Sequence, residues 1–462
     1  VTTPHVPGPP RRRPAPLGRT AAALFCATAV VLAAAGCGSA GGHGPGTGSG
    51  SDAGRPVTIT FWHQWSDPSE IAAVDTDIAG FEKLYPNIRV NAVANVSDPV
   101  MTKALQAGSA DAPDVVSDSD TLDVGPLCSA GELVDLGPLM HGSGIDPAAT
   151  FPKEMLDYSQ YQGKQCTLPL LGDAYGLYYN IDMFHAAGIS GPPHTFSQLA
   201  ADAVRLTKAD GAQQLGYMPL YEDYQNDTGT LVAQYDPQYL TTAGKSNFAG
   251  DPGFAQLLGW QRNLVNELGG YPLLSKIYDS FGGEYTANAF DKGRVAMQVD
   301  GEWRVAMLTQ EKVPFQWATA PFPVPDDQAS QYGRGLLAGT VIGISHNSRE
   351  QQAAWQFVRY LTTDTSAVVD FANAIENVPS TYAALDSPSL QLPAAFQTFL
   401  TIADNQYSVT QPATADGGNY LAVLQTLGTQ YESGKVTDLA AGLRAADQAE
   451  DSSLAKAGQT AG

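Results

Sequence analysis

Two short clusters carry the residue types from which a reactive or binding centre could be built: Asp118-Ser119-Asp120 and Tyr221-Glu222-Asp223-Tyr224. Carboxylates beside aromatic rings suit two tasks. Paired carboxyl groups cleave glycosidic bonds as acid and base or nucleophile. The same groups accept hydrogen bonds from sugar hydroxyls, while aromatic faces cover C–H surfaces. The clusters stand at no fixed spacing, and the sequence holds no Gly-x-Ser-x-Gly, His-Glu-x-x-His or phosphate-loop motif, which favours binding over cleavage by a secreted glycoside hydrolase. Asp118 and Asp120 could also cap a helix beginning near Thr121.

Charge narrows the partners. The chain has 25 Lys and Arg against 47 Asp and Glu, a net charge of −22, and its first 36 residues hold four arginines and no acid, so the body is more acidic still. Such a surface repels phosphate backbones and anionic headgroups, which argues against nucleic acid. A neutral or cationic ligand fits, and an oligopeptide or polyamine stays open beside a sugar. With 462 residues, 43% apolar and 16% charged, the chain can build two or three domains.

The elements that would position these residues read as α/β. Val57 to Trp62 has the β-branched, apolar character of a buried strand, and Asp67-Pro68 supplies an N-cap and a first-turn proline. Ile71, Val74, Ile78, Phe81 and Tyr85 then fall on one helical face before Pro86, Ile88 to Val93 resumes a strand, and Asp114-Val115-Val116 is a further buried stretch. His63 to Asp67 and Asp118 to Asp120 lie beyond strand ends, where ligands of open α/β sheets bind. Thr195 with Gln198, and Ser348 with Gln351, read as capping boxes opening two more helices. No repeat at a period of 20–50 residues is visible, which excludes a solenoid or propeller.

The N-terminus reads as an address. Arg11-Arg12-Arg13 and Arg19 precede an apolar run from Ala21 to Ala35, shorter than the roughly 20 residues that span a bilayer. Residues 1–36 resemble a signal peptide, and Ala34-Ala35-Gly36-Cys37 resembles a lipobox, with Ala34 where Leu is usual, so Cys37 is expected to carry the lipid. Residues 37–56, rich in Gly and Ser, form a flexible tether rather than a phosphate loop. With Cys26 lost in the signal and Cys37 lipidated, Cys128 and Cys166 remain and are expected to form a disulfide in an oxidising compartment. Neither has partners at zinc-ligand spacing, and no metal or cofactor is expected.

Six segments, in order, resemble the family 1 extracellular solute-binding proteins of ABC importers. They are Ile59-Thr60-Phe61-Trp62-His63; Phe81-Glu82-Lys83-Leu84-Tyr85-Pro86; Pro113-Asp114-Val115-Val116; Gly131-Glu132-Leu133-Val134-Asp135-Leu136; Leu168 to Phe184 with Tyr175-Gly176-Leu177-Tyr178-Tyr179-Asn180; and Phe290 to Met297 with Gly301-Glu302-Trp303. The resemblance implies a two-lobed periplasmic-binding-protein-like fold (type II), with the ligand cleft between the lobes and three hinge crossovers. These would lie near Leu171 to Tyr175, Trp317 to Phe322 and Thr362 to Ser366, dividing the chain into 57–171 and 320–364 for the first lobe and 172–319 and 365–462 for the second.

By the same resemblance the ligand is a di- or oligosaccharide, touched by His63, Gln64 and Trp65 after the first strand, Asp118 and Asp120, Asp173 and Tyr175 on the first crossover, Tyr221 and Glu222 in the second lobe, a stacking Trp303, the backbone at Gly339, and Tyr420. No catalytic residue is implied. The expected partners are the sugar and the transmembrane permease subunits, and the expected place is the outer face of the cell membrane, held by a lipid anchor, as a monomer.

Overall fold

The computed structural model describes residues 55–108, 112–208, 214–221, 228–281 and 286–460. The expected signal segment, residues 37–54 of the expected tether with Cys37, and Glu222 lie outside the described residues.

The first strand, β1 (Val57–Trp62), alternates so that Ile59 and Phe61 are buried. Asp67 then starts the helix Pro68–Leu84: its carboxylate accepts from the Ser69 amide, and Glu70 accepts from the Asp67 amide, satisfying amides that the first turn leaves unpaired. Val74, Ile78 and Phe81 form the buried face, as their spacing requires. β2 (Ile88–Val93) and β3 (Val115–Asp118) both pair with β1 in parallel. Thr195 caps the helix Phe196–Leu206, while Gln198 reaches the His194 amide. The other expected cap is different. The helix Gln351–Thr363 begins at Glu350 without a side-chain cap: the Ser348 hydroxyl donates to Asp114 at 2.6 Å and accepts from the Glu350 amide at 3.2 Å, not from the first turn.

The strand order is β2-β1-β3-β8 (Leu337–Ile344)-β4 (Thr167–Asn180)-β6 (Val295–Gly301)-β5 (Leu215–Tyr217). Its centre is the 14-residue β4 (Thr167–Asn180). The first half of β4 pairs antiparallel with β8 (Leu337–Ile344), and its second half, from Tyr175, pairs with β6 (Val295–Gly301) and β7 (Trp317–Ala320). β5 (Leu215–Tyr217) extends the second half in parallel on β6, and β9 (Val378–Pro379) pairs with Leu171 and Gly172. One strand therefore belongs to both lobes.

Each lobe has its own core. In the first, Ile59, Phe61, Phe81, Phe357 and Phe371 pack together; in the second, Leu177, Leu199, Tyr217, Leu257 and Met297 do so; between them Tyr158, Tyr178, Leu337, Val378 and Phe399 fill the junction. The crossovers fall later than expected in two places. Phe322 still packs on Phe196 and Tyr217 in the second lobe, so the chain returns only at β8. The helix Thr365–Ile375 lies on Pro68–Leu84 and gives Phe371 and Ala372 to the first core, so the chain leaves that lobe after Ile375, not after residue 364.

Cys128 and Cys166 are joined, with Cα atoms 5.8 Å apart, among Met101, Leu105, Val116 and Leu133. On a chain-entropy account this crosslink stabilises the first lobe by about 4 kcal/mol.

Candidate ligand cleft between the lobes

Alternation along and beyond β1 decides which side chains can meet a ligand. Ile59, Phe61, His63 and Trp65 share one face, and the opposite face presents Gln64. His63 is 1% exposed, its ring between those of Phe61 and Trp65 at 5.3 and 5.5 Å, and Trp65 meets Phe371 edge-on at 5.1 Å. Both rings belong to the first-lobe interior. Burial lowers the pKa of His63, so the imidazole is neutral there. Gln64 is held differently: its amide oxygen accepts from Ser117 at 2.8 Å and its nitrogen donates to Thr340 at 3.4 Å, which fixes it across the ends of β1, β3 and β8.

Asp118 ends β3, buried, accepting from the Asp120 amide at 2.9 Å. Burial, with Asp98, Asp123 and Asp120 close by, pushes its carboxyl well above the usual range. Asp120 caps the turn Thr121–Asp123 through the Leu122 amide and stays exposed.

At the point where β4 changes lobes, the carboxyl groups of Asp173 and Glu302 are close neighbours. Burial raises both, Asp173 to about 6, and the Asp173 charge raises Glu302 further. Glu302 also accepts from the Ala174 amide at 2.9 Å, and Asn377 donates to Asp173 at 3.4 Å. Two residues beyond Asp173, Tyr175 meets Trp303 edge-to-face at 5.5 Å; both rings are half-buried, and the indole lies over Gly301, where any Cβ would overlap it.

Three expected contacts are used otherwise. Tyr221 is buried in the second core, its amide donating to Glu432 and its ring over Gly428. Tyr420 is likewise enclosed, its hydroxyl donating to the Pro412 carbonyl at 2.8 Å and its ring 4.8 Å from that of Tyr239. Gly339 is explained by strand packing, since a Cβ there would overlap the Leu171 carbonyl and lie 2.6 Å from the Tyr158 hydroxyl. Thr340, Glu302 and Asn377 were not among the expected site residues. Glu302 stands inside the Gly301-Glu302-Trp303 segment, but its partner Asp173 is distant in sequence, and nothing local signals the pairing.

Two α/β lobes joined by a shared strand, with polar groups and a half-buried aromatic pair gathered where they meet, define a hinged solute receptor. The chain belongs to the bacterial extracellular solute-binding proteins, whose family model matches residues 65–368. Two Brucella proteins named as binding proteins, from Brucella abortus (strain 2308) and Brucella suis biovar 1 (strain 1330), are each 26% identical over 214 residues, 46% of this chain. The chain spans about half the length of these curated relatives. Among solved structures, the sugar-binding protein MalE from Xanthomonas citri matches with a TM-score of 0.73 at 22% identity, covering 86% of this chain and 98% of that one. The cyclic alpha-maltosyl-1,6-maltose binding protein from Arthrobacter globiformis matches with a TM-score of 0.72 at 20% identity, covering 87% and 100%. At these identities the likeness is one of fold. No helix among the described residues is long and apolar enough to cross a membrane.

Proposed function

We propose that this protein captures a di- or oligosaccharide between its lobes and delivers it to the transmembrane subunits of an ABC importer, without chemistry on the ligand. The observation that carries the reading is the Tyr175–Trp303 pair, half-buried beside the carboxyl groups at the lobe junction. An aromatic face covers the C–H side of a pyranose, and fixed amide and carboxyl groups meet its hydroxyls. Gln64, Asp118, Asp173 and Thr340 supply those groups, with Asp120 at the rim. Solved relatives of the same fold include one with mannotriose bound, at 21% identity and a TM-score of 0.69, covering 85% of this chain and 99% of that one.

Hydrolysis is disfavoured by the same geometry. A glycosidase needs its carboxyl groups on either side of the scissile bond, whereas Glu302 is fully enclosed and accepts from the Ala174 amide. Calorimetry with maltose, maltotriose, mannobiose and mannotriose, with chromatography of the recovered sugar, tests both points. Heat of binding with intact sugar is expected. Cleavage products would establish an enzyme, and binding only to peptides or polyamines would keep the fold and replace the ligand.

The protein is further proposed to be exported and held at the outer membrane face through Cys37, on the strength of the small residues before that cysteine and the Gly/Ser tether after it. Cys37→Ala is expected to move the protein from membranes to the medium, and unchanged partitioning on fractionation would refute the anchor.

A further inference from the structure

Far along the chain from the carboxyl pair at the junction, a second pair ties the C-terminal helix to the loop that touches the other lobe. Glu450, on the helix Leu439–Thr460, is 0% exposed; one of its oxygens accepts from the Asn419 side chain at 2.9 Å and the other, Oε1, meets no donor. Asp416 accepts from the Thr414 hydroxyl at 2.6 Å through Oδ1, and its Oδ2 meets no donor either. Asp416 is a close neighbour of Glu450 and raises its carboxyl. Two buried carboxyl oxygens without donors, on neighbouring groups, leave a place for one proton between them.

Residues 410–418 are also the place where the second lobe meets the first. The Thr414 backbone lies directly on Gly125, so that a Cβ on that glycine would overlap its carbonyl. Gly417 faces Pro126, and a Cβ on Gly418 would stand 2.7 Å from the Leu122 side chain. Leu122 in turn packs on the second-lobe core. The Thr414 hydroxyl that donates to Asp416 accepts from the Gly418 amide at 3.0 Å, so the carboxyl pair and the contact surface are one hydrogen-bonded unit.

We propose that a single proton shared by Asp416 and Glu450 latches residues 410–418 against the first lobe, and that its loss releases the two lobes from each other. Two bare carboxylates in this position would repel, with the loop as the movable member. Burial pushes Glu450 up to about 7; the Asn419 bond opposes that shift, and Asp416 and then Asp451 add to it. The other groups facing the pair are Tyr420, Tyr239 beyond it, Tyr161 and Asp120 from the first lobe, and Lys245, which Asp451 engages at 3.7 Å. When the loop lifts and water reaches Glu450, its pKa falls back toward the ordinary carboxylate value. Closure thus binds a proton; it is favoured at acid pH and lost as pH rises through about 7.

Small-angle scattering of the full chain without ligand, from pH 5 to 9, reads the state of the lobes directly and independently of which solute binds. The radius of gyration is expected to rise with a midpoint near pH 7. Glu450→Gln, whose amide donates permanently to Asp416, is expected to stay compact to pH 9, and Asp416→Asn to do the same by the reverse bond. An unchanged radius in the parent protein, or the same midpoint in either variant that folds by circular dichroism, would overturn the latch.

Discussion

Trp303 is where a core role and a binding role predict different measurements. Its ring is half-buried and packs edge-on with Tyr175 rather than being enclosed. Trp303→Ala is expected to weaken sugar binding by about 2 kcal/mol, roughly thirtyfold in Kd, as truncation of a stacking anchor does. Its ligand-free melting temperature should stay near that of the parent; an enclosed tryptophan would instead lose about 3–5 kcal/mol of stability. Thermal melts and calorimetry on the one variant separate the two. At this scale the sequence was only partly legible. Trp303, Tyr221 and Tyr420 are all large aromatics near polar residues, and residue type alone does not tell a platform from a core ring. The alternation that sends His63 and Trp65 inward and Gln64 outward was present in the sequence and is the physical signal for that triplet.

The helix Pro68–Leu84 follows its sequence pattern closely: a proline start, an aspartate cap and an apolar face. It also carries an irregularity that periodicity does not report. Asp77 lies on the buried side, with Val74, Phe357, Leu361 and Phe371 around a small void. Burial raises its carboxyl to about 7, with Asp370 and Asp364 adding to the shift. A raised carboxyl pKa means that the fold holds a proton the unfolded chain gives up, so this group's contribution is full below about pH 4 and is lost as pH rises through about 7. Asp77→Asn removes that loss. It is expected to match the parent at pH 4 and to exceed it by about 2 kcal/mol at pH 8 in denaturant titrations, about half the full linkage value. A constant difference across that range would mean that Asp77 is ionised in the fold. The Gln351–Thr363 helix shows the opposite limit: Ser348 has the spacing of a cap, but its hydroxyl donates to Asp114, far away in sequence, and accepts from the Glu350 amide just before the helix begins.

For the molecule as a whole, six ordered segments were enough to indicate two lobes, while the crossovers were misplaced because Phe322 and the helix Thr365–Ile375 commit to their lobes by packing that no local pattern encodes. The contact between lobes gives a test of hinge closure. Gly125→Ala places a methyl group against the Thr414 backbone, which no side-chain rotation can relieve. Overpacking of this kind opposes closure by about 1–3 kcal/mol. Affinity for the cognate sugar is expected to fall about tenfold, which is 1.4 kcal/mol. Equal affinity would show that binding does not bring Gly125 and Thr414 together.

The shared strand also sets a schedule for synthesis. β3 and the first half of β4 both lean on β8, which the ribosome supplies only after most of the second lobe has been made. Until Leu337–Ile344 emerges, the first sheet has an open edge at β3, and its covering helices Gln351–Thr363 and Thr365–Ile375 do not yet exist. The first lobe is therefore expected to stay incomplete until late in translation. A chain truncated after Tyr332 should be digested by low protease as fast as an unfolded polypeptide, and one truncated after Ile375 should protect the Cys128–Cys166 region. Protection in the shorter chain would mean that the first lobe assembles without the strand that returns to it.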